Sequence, residues 1–239
     1  MLPKKKKENK MFKYNHRHLE ISSIFIFVVY CVMLVWKIAV ETVRLADTLG
    51  YLVVPLAILP FIVGYIGADF FSGLVHFLGD TFGTEDTPVV GQSFIKPFRE
   101  HHVDPKGMTK HDFVETSGNN CIVSIPFMLL VYYLVDIKSN LFAYAFYSFF
   151  SFLMIAVFIT NQIHKWAHME NPGRLIQFLQ RSNLILSPEH HQVHHTDPFD
   201  KYYCITVGWL NPFLYKIHFF EGIKILAYKI FGDRVAIKH

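Results

Sequence analysis

Residues 51–80 read YLVVPLAILPFIVGYIGADFFSGLVHFLGD. From Tyr51 to Leu78 the run is almost wholly apolar, and about 20 such residues suffice for a helix to cross a bilayer. Its later half carries Asp69, His76 and Asp80. On a helix, positions i, i+7 and i+11 share a face, with Ser72 and Gly73 small enough between them for another helix or a substrate chain to come close. An ionisable side chain at the edge of a span is costly and marks a functional site by default. The plainer reading is a polar pair hydrogen-bonded between helices.

Outward from this segment, three more apolar stretches stand out. Residues 19–40 are broken only by Lys37, whose stem can snorkel to an interface. Residues 120–135 are short, and 141–160 are rich in Phe and Tyr. The composition agrees, with 52% hydrophobic residues and a mean hydropathy of +0.28. The expected fold is an all-α membrane protein with about four transmembrane helices (19–40, 51–78, 120–135, 141–160) and a cytosolic, histidine-rich helical cap. Its expected parts are a basic tail over 1–18, a membrane domain over 19–215 and an amphipathic segment over 216–239. A second amphipathic stretch reads along 171–187. Each of the two either lies in the headgroup plane or packs on the cap.

The net charge is only +4, but seven of the 23 Lys/Arg fall in the first eighteen residues, including Lys4, Lys5, Lys6 and Lys7. Such a run reads as a solvated, irregular tail that fixes topology. Nucleic-acid binding would need a basic face within the folded part, and none is visible. With the tail in the cytosol and four spans threaded, only Lys37, Arg44 and Lys138 fall on or near the far side, which is the positive-inside pattern. The basic stretch leads into a full-length span with no small-residue cleavage site, so it is expected to stay as an anchor. Cys31, Cys121 and Cys204 are far apart and odd in number, which indicates neither a disulfide framework nor a cysteine metal site.

The same threading puts the histidine clusters on one side of the membrane, although histidine took no part in the charge argument. His76 ends the second span. His101 and His102 stand in Arg99-Glu100-His101-His102-Val103-Asp104-Pro105, and His111 follows. Adjacent rings on a helix point about 100° apart, so this pair either reaches one centre from a helix end or serves two neighbouring ions. In Asn161-Gln162-Ile163-His164-Lys165-Trp166-Ala167-His168 the spacing puts both rings on one face, one turn apart. In His190-His191-Gln192-Val193-His194-His195 the set His191, His194 and His195 is complete, with His190 as an extra. Each cluster alone passes for surface histidines; together they point to one shared site. The best-placed ligands are His76, His101, His102, His164, His168, His191, His194 and His195. That is too many for one ion and suits two, with open positions left over. Imidazole serves Zn, Cu, Fe and Ni alike. Asp69, Asp80, Glu100, Asp104, Glu189 and Asp197 are near in sequence, and carboxylates of this kind orient ligating rings. A two-metal site at the mouth of an apolar bundle faces lipid chains, whose unactivated C–H bonds need an oxidant that iron and oxygen can supply and zinc cannot.

Five strings carry a resemblance: Gly67 to Asp80, P-F-R-E-H-H-V-D-P (Pro97 to Pro105), K-H-D-F-V-E-T-S-G-N-N (Lys110 to Asn120), N-Q-I-H-K-W-A-H, and H-H-Q-V-H-H followed by Y-C-I-T-V-G-W-L-N (Tyr203 to Asn211). From about residue 60 to 215 the chain resembles the Kua/CarF-type lipid desaturase family. The runs after Phe98 and Lys110 look like its ether-lipid branch, the plasmanylethanolamine desaturases, rather than its plastid acyl-lipid branch. The resemblance implies a multi-span desaturase that puts a cis double bond between C1 and C2 of the O-alkyl chain of a 1-O-alkyl glycerophosphoethanolamine, giving a plasmalogen. It implies two iron ions, molecular oxygen as co-substrate and the eight histidines as ligands. Asp80 matches an acidic residue of the family's H-x3-D motif and is expected as a catalytic group. Asp69, Glu100, Asp104, His111 and His190 are expected to support the rings.

No flavin or nicotinamide fingerprint is present, so electrons are expected from a cytochrome b5-type donor. The alkyl chain is expected in an apolar tunnel along Phe70, Phe71, Phe77 and the aromatics of span four, with the headgroup near Arg99, Lys96 or Asp104. The compartment is expected to be the endoplasmic reticulum membrane in a eukaryote and the cytoplasmic membrane in a bacterium. Alternatives on the same core are an acyl-lipid desaturase or a lipid hydroxylase. A metal transporter, from a different class, would string its polar residues along a path at mid-membrane.

Overall fold

The computed structural model describes residues 4–232, with side chains from residue 16. Helix α1 covers Lys4–Leu49, and a 3-10 turn, Gly50–Leu52, joins it to α2, Val53–Thr81. A π turn at Gly91–Ile95 precedes α3, Lys96–Val103. The other long helices are α4, Phe113–Leu134, and α5, Leu141–Ala167. Four short ones follow: α6 (Arg174–Arg181), α7 (Pro188–Gln192), α8 (Asn211–Lys216) and α9 (Phe219–Phe231). No strand occurs among the described residues.

Among the described residues, three stretches are long and apolar enough to cross a membrane: His16–Thr81, Phe113–Leu134 and Leu141–Ala167. The first contains both α1 and α2, expected as separate spans, because the turn between them is itself helical. Gly50, at φ 54°, supplies the backbone conformation that an L side chain resists. The helices also overrun their apolar segments. α1 takes in the basic run expected as an irregular tail. α4 starts at Phe113 because the Asp112 carboxylate caps it, accepting the Glu115 amide at 3.0 Å. α5 continues beyond residue 160, so His164 is carried on a helix. Hydropathy marks where a helix meets lipid, not where it ends. The amphipathic stretch at 171–187 shrinks to α6, bounded by Gly173 at φ 97°. Within the segment expected as amphipathic over 216–239, α9 forms at Phe219–Phe231, and residues 233–239 lie outside the described residues.

The chain divides into two compact units. One comprises residues up to Tyr65 with His111–Gln162; the other comprises Ile66–Lys110 with residues from Ile163 onward. In the first, α1 and α4 pack in parallel, since residue numbers rise together along the contact. Arg17 binds the Asp112 carboxylate at 2.9 and 2.6 Å, the Ser23 hydroxyl donates to the Gly118 carbonyl at 3.2 Å, and Lys37 donates to the Tyr132 carbonyl at 3.2 Å. Gly118 permits the approach: a Cβ there would fall 2.6 Å from Glu20 Cβ. α5 runs the opposite way, with Phe27 stacked on Phe158 at 4.7 Å and the Thr42 and Tyr144 hydroxyls 2.6 Å apart. Asn120 links α4 to α5, donating to the Val157 carbonyl at 2.8 Å and accepting from Asn161 at 3.0 Å. Small residues and amide bridges of this kind replace the hydrophobic drive between helices in lipid. The outward faces stay apolar, with Phe25, Val32, Trp36, Val43 and Leu59 exposed.

The second unit is organised around the last turns of α2. Phe77 is fully buried in a cluster with Tyr203, Cys204, Leu214 and Phe220, against which Phe70 packs. Phe77 is thus a packing residue rather than the tunnel wall expected from its place in the span. Gly73 brings the segment after α7 against α2: a Cβ at Gly73 would lie 2.5 Å from Cys204 Sγ. The Asp69 carboxylate fastens the same segment, accepting the amides of Thr206, Val207 and Gly208 on Oδ1 (3.2, 2.8 and 2.8 Å) and that of Leu210 on Oδ2 (3.2 Å).

Candidate metal centre

Helix spacing sets the positions of the titratable rings. His76 and Asp80 are one turn apart at the end of α2, and His164 and His168 are one turn apart at the end of α5. His101 and His102 end α3. The Ser187 hydroxyl caps α7 by accepting the His190 amide at 3.2 Å, which fixes His191 at its last turn and His194 and His195 just beyond. All of these belong to the second unit. Their nitrogen and oxygen atoms converge into two groups, each with ligand-type atoms within 4.8 Å of one another: His101, His164, His168, His191 and His195, and His76, Asp80, His102 and His194. All eight histidines expected as ligands are therefore brought together. The adjacent pairs His101/His102 and His194/His195 each contribute one ring to either group.

The distances fit a metal ion. With metal–nitrogen bonds of about 2.1 Å, two ligand atoms at right angles stand ~3.0 Å apart and two at a tetrahedral angle ~3.4 Å. His164 Nε2 lies 2.8 Å from His191 Nε2 and 3.3 Å from His168 Nε2, and His195 Nε2 lies 3.1 Å from His191 Nε2. Asp80 Oδ2 lies 3.0 Å from His102 Nε2 and 3.4 Å from both His76 Nε2 and His194 Nε2.

Protonation gives a second, independent argument. A carbonyl only accepts, so the contacts of His76 Nδ1 with the Tyr203 carbonyl (3.1 Å) and of His194 Nδ1 with the Lys201 carbonyl (2.9 Å) place a proton on each Nδ1. Each Nε2 is then the nitrogen turned toward the Asp80 carboxylate, at 3.4 Å, where a cation between them would satisfy both. Both Asp80 oxygens and the Nε2 atoms of His76, His102 and His194 are buried without a hydrogen-bond partner among the described residues, as is His101 Nε2. Burial, reinforced by neighbouring rings, pushes His168 down to about 4 and His195 to about 2. The same causes hold His101 and His191 far below the ordinary imidazole range. Neutral imidazole is the ligating form.

The remaining candidates are placed differently. Asp80, expected as a catalytic group apart from the ligands, sits within the ligand-type atoms. Asp69 is engaged by four amides. His190 Nε2 pairs with the Asn211 amide at 3.1 Å, and its ring stacks on Tyr202 at 5.0 Å. Glu100 pairs with Lys96 at 3.7 Å and Asp104 with Lys110 at 3.7 Å, all four at the surface. His111 lies in the other unit, 3.8 Å from Glu115. The Arg99 guanidinium donates to the Gly83 carbonyl at 2.6 Å.

A model of the lipid desaturase domain matches residues 65–236. The chain belongs to the lipid desaturase family. Among its relatives, a plasmanylethanolamine desaturase of Myxococcus xanthus is 52% identical over 159 residues, 66% of this chain and 56% of that protein. Plasmanylethanolamine desaturase 1 of Mus musculus is 41% identical over 184 residues, 75% of this chain and 68% of that protein. The chloroplastic fatty acid desaturase 4 of Arabidopsis thaliana is 31% identical over 173 residues, 72% of this chain and 51% of that protein. The aligned region thus spans between about half and two thirds of these relatives. No solved structure matches the chain.

The lipid desaturase match takes in every residue of both ligand-type groups. Three contributors escaped sequence reasoning. The carbonyls of Lys201 and Tyr203 orient His194 and His76, and a carbonyl leaves no trace in residue identity. Asn211, last residue of the string Tyr203 to Asn211, joins Cys204 to His190 by accepting the Cys204 amide (2.8 Å) and donating to its carbonyl (2.9 Å).

Proposed function

We propose that the protein is a membrane desaturase of ether phospholipids, converting a 1-O-alkyl glycerophosphoethanolamine into its vinyl ether. Two ions, which we assign as iron, would be held by His101, His164, His168, His191 and His195 and by His76, Asp80, His102 and His194. The observation that carries this reading is the pair of buried, converging ligand groups in a chain of the lipid desaturase family whose 52% and 41% identical relatives are named plasmanylethanolamine desaturases. With oxygen, an iron pair supplies the oxidising power to take two hydrogens from unactivated C–H bonds. In balance, the O-alkyl chain gives up two hydrogens from C1 and C2, and oxygen with two electrons and two protons becomes two waters. The electrons come from a one-electron carrier of the cytochrome b5 type docking from the cytosol.

The protein's own part is placement. Lys201 and Tyr203 carbonyls hold two rings in the tautomer that faces the ion, Asp80 supplies the negative charge that favours a cation, and burial keeps His101, His168, His191 and His195 neutral. Positive-inside orientation puts these groups on the cytosolic side, in the endoplasmic reticulum membrane of a eukaryotic host or the cytoplasmic membrane of a bacterial one.

The test is lipid mass spectrometry on cells lacking plasmalogen synthesis, fed an alkylglycerol, with and without this protein. Acid-labile lipids lighter than their precursors by two hydrogens support the reading. A gain of one oxygen would make it a hydroxylase. Desaturation of an acyl chain would favour the second reading, for which the Arabidopsis relative is the observation.

A further inference from the structure

Apart from the metal-ligand groups, the second unit holds a cavity of about 180 Å³ between residues 200–202 and helices α8 and α9. Its lining carries both signs of charge, with Lys201 and Lys224 set among Asp200 and Glu221. The rings of Tyr202 and Tyr215 meet edge-on at 6.2 Å, and Lys201 Nζ stands 6.0 Å from the centre of the Tyr215 ring. The first turn of α9 opens onto the same space. Among the described residues no side chain caps it; His218 takes the cap position in the left-handed region, at φ 53°. The helix's first hydrogen bond runs from the Gly222 amide to the His218 carbonyl at 2.9 Å. The amides of Phe219, Phe220 and Glu221 therefore have no acceptor within the helix and stand at the positive end of its dipole.

We propose that this cavity binds the phosphoethanolamine headgroup of the lipid substrate, the phosphate on Lys201, Lys224 and the α9 amides, the ammonium on Glu221, Asp200 and the tyrosine rings. The inference rests on the reading of the chain as an ether-phospholipid desaturase. Balanced lining charge selects a zwitterion, since an anionic lipid would leave both carboxylates facing like charge. A primary ammonium donates hydrogen bonds to carboxylates, whereas a quaternary one has none to give. Phe213, Ile225 and Leu226 are exposed on the two helices that form the wall, and Ile217 between them, as suits a headgroup zone.

Position relative to the metal-ligand groups is the second argument. The reacting carbons of the substrate lie only a glycerol's length from its phosphate, so a headgroup site has to adjoin those groups. Three consecutive residues make that connection. The Lys201 carbonyl accepts from His194, the Tyr202 ring stacks on His190, and the Tyr203 carbonyl accepts from His76. Lys224 Nζ and Glu221 Oε2 face each other at 3.9 Å across this lining, close enough for one zwitterion to meet both, whereas Lys96, Arg99 and Asp104, expected at the headgroup, do not line the cavity.

The test uses full-length protein in mixed micelles, comparing wild type with Lys224→Ala and Glu221→Gln. Saturation-transfer NMR ranks the binding of glycerophosphoethanolamine, glycerophosphocholine and inorganic phosphate, and kinetics on plasmanyl lipids run beside it. Lys224→Ala is expected to raise KM by about tenfold, the worth of one lost charge contact of ~1.4 kcal/mol, with kcat and metal content unchanged. Glu221→Gln is expected to erase the preference for ethanolamine over choline. Wild type is expected to bind glycerophosphoethanolamine best of the three probes, and both variants to lose that order. Unchanged KM and preference in both variants overturn the headgroup site, as does equal binding of inorganic phosphate. A raised KM in Lys96→Ala with none in Lys224→Ala also overturns it. If wild type makes no vinyl ether, the functional reading fails while the NMR ranking still decides the cavity.

Discussion

Asp80 is the residue on which charge weighs most. Its Oδ2 stands 3.0–3.4 Å from three imidazole nitrogens, and an anion among lone pairs is stable only with a cation between. Asp80→Asn keeps the shape and removes the charge. It is expected to empty the group with His76, His102 and His194 while the five-histidine group keeps its ion, so elemental analysis should fall from about two metals per chain to about one. Retention of both would show that the carboxylate is no ligand. His190 makes the converse case, since it neighbours His191 in sequence yet pairs with Asn211. His190→Gln is expected to leave metal content intact and cost about 1 kcal/mol of stability, the worth of one buried hydrogen bond. His191→Gln is expected to lose metal. Equal metal loss in both variants would put His190 among the ligands.

At the scale of elements, the segment after α7 is held to α2 by the Asp69 carboxylate, with the Ser72 hydroxyl accepting the Ile205 amide at 3.1 Å and His76 donating to the Tyr203 carbonyl. Asp69 accepts four amides, and each buried amide left unpaired costs about 1–3 kcal/mol. Asp69→Ala is therefore expected to release residues 203–210, lowering the melting temperature and opening a protease site there; protection equal to wild type would deny it that role. How much of this was readable follows from what sequence encodes. Apolar length and polar edges were enough to place the four long helices. Residue identity with helical spacing picked out all eight rings that converge. The division into five and three plus Asp80 was not readable. It depends on the ~100° between adjacent rings of His101/His102 and of His194/His195, and on loop paths that turn them. Asp69 shares a helical face with His76 and was expected to support a ring. Its real partners are backbone amides, which every residue carries. The early start of α4 was hidden for another reason, because Glu115 to Asn120 are polar or small and only the Asp112 cap announces the helix.

For the whole molecule, α1 and α4 run parallel and α5 runs against them, so the 16–81 stretch is expected to make two passes, turning at Gly50. Cysteine labelling checks this: Gln92→Cys is expected to react from the cytosolic side only and Ser139→Cys from the opposite side only. Both reacting from one face would refute the four-pass threading. Acid stability tests the neutral rings together. An unfolded chain takes up protons near pH 6.5, whereas burial holds His168 to about 4 and His195 to about 2, and keeps His101 and His191 low as well. Below pH 6.5 the unfolded state thus binds more protons, and stability falls as pH falls, by up to about 1.4 kcal/mol per pH unit for each ring. Protons compete with a bound metal in the same direction. Melting temperature and metal retention are expected to be level from about pH 8 to 6.5 and to drop together toward pH 4. His168→Gln removes one ring's share, so its melting temperature should decline less steeply than that of wild type over this range, even in metal-free protein. A wild-type profile flat down to pH 4.5 would mean that these rings are solvated and already protonated, and the ligand assignment would lose its electrostatic basis.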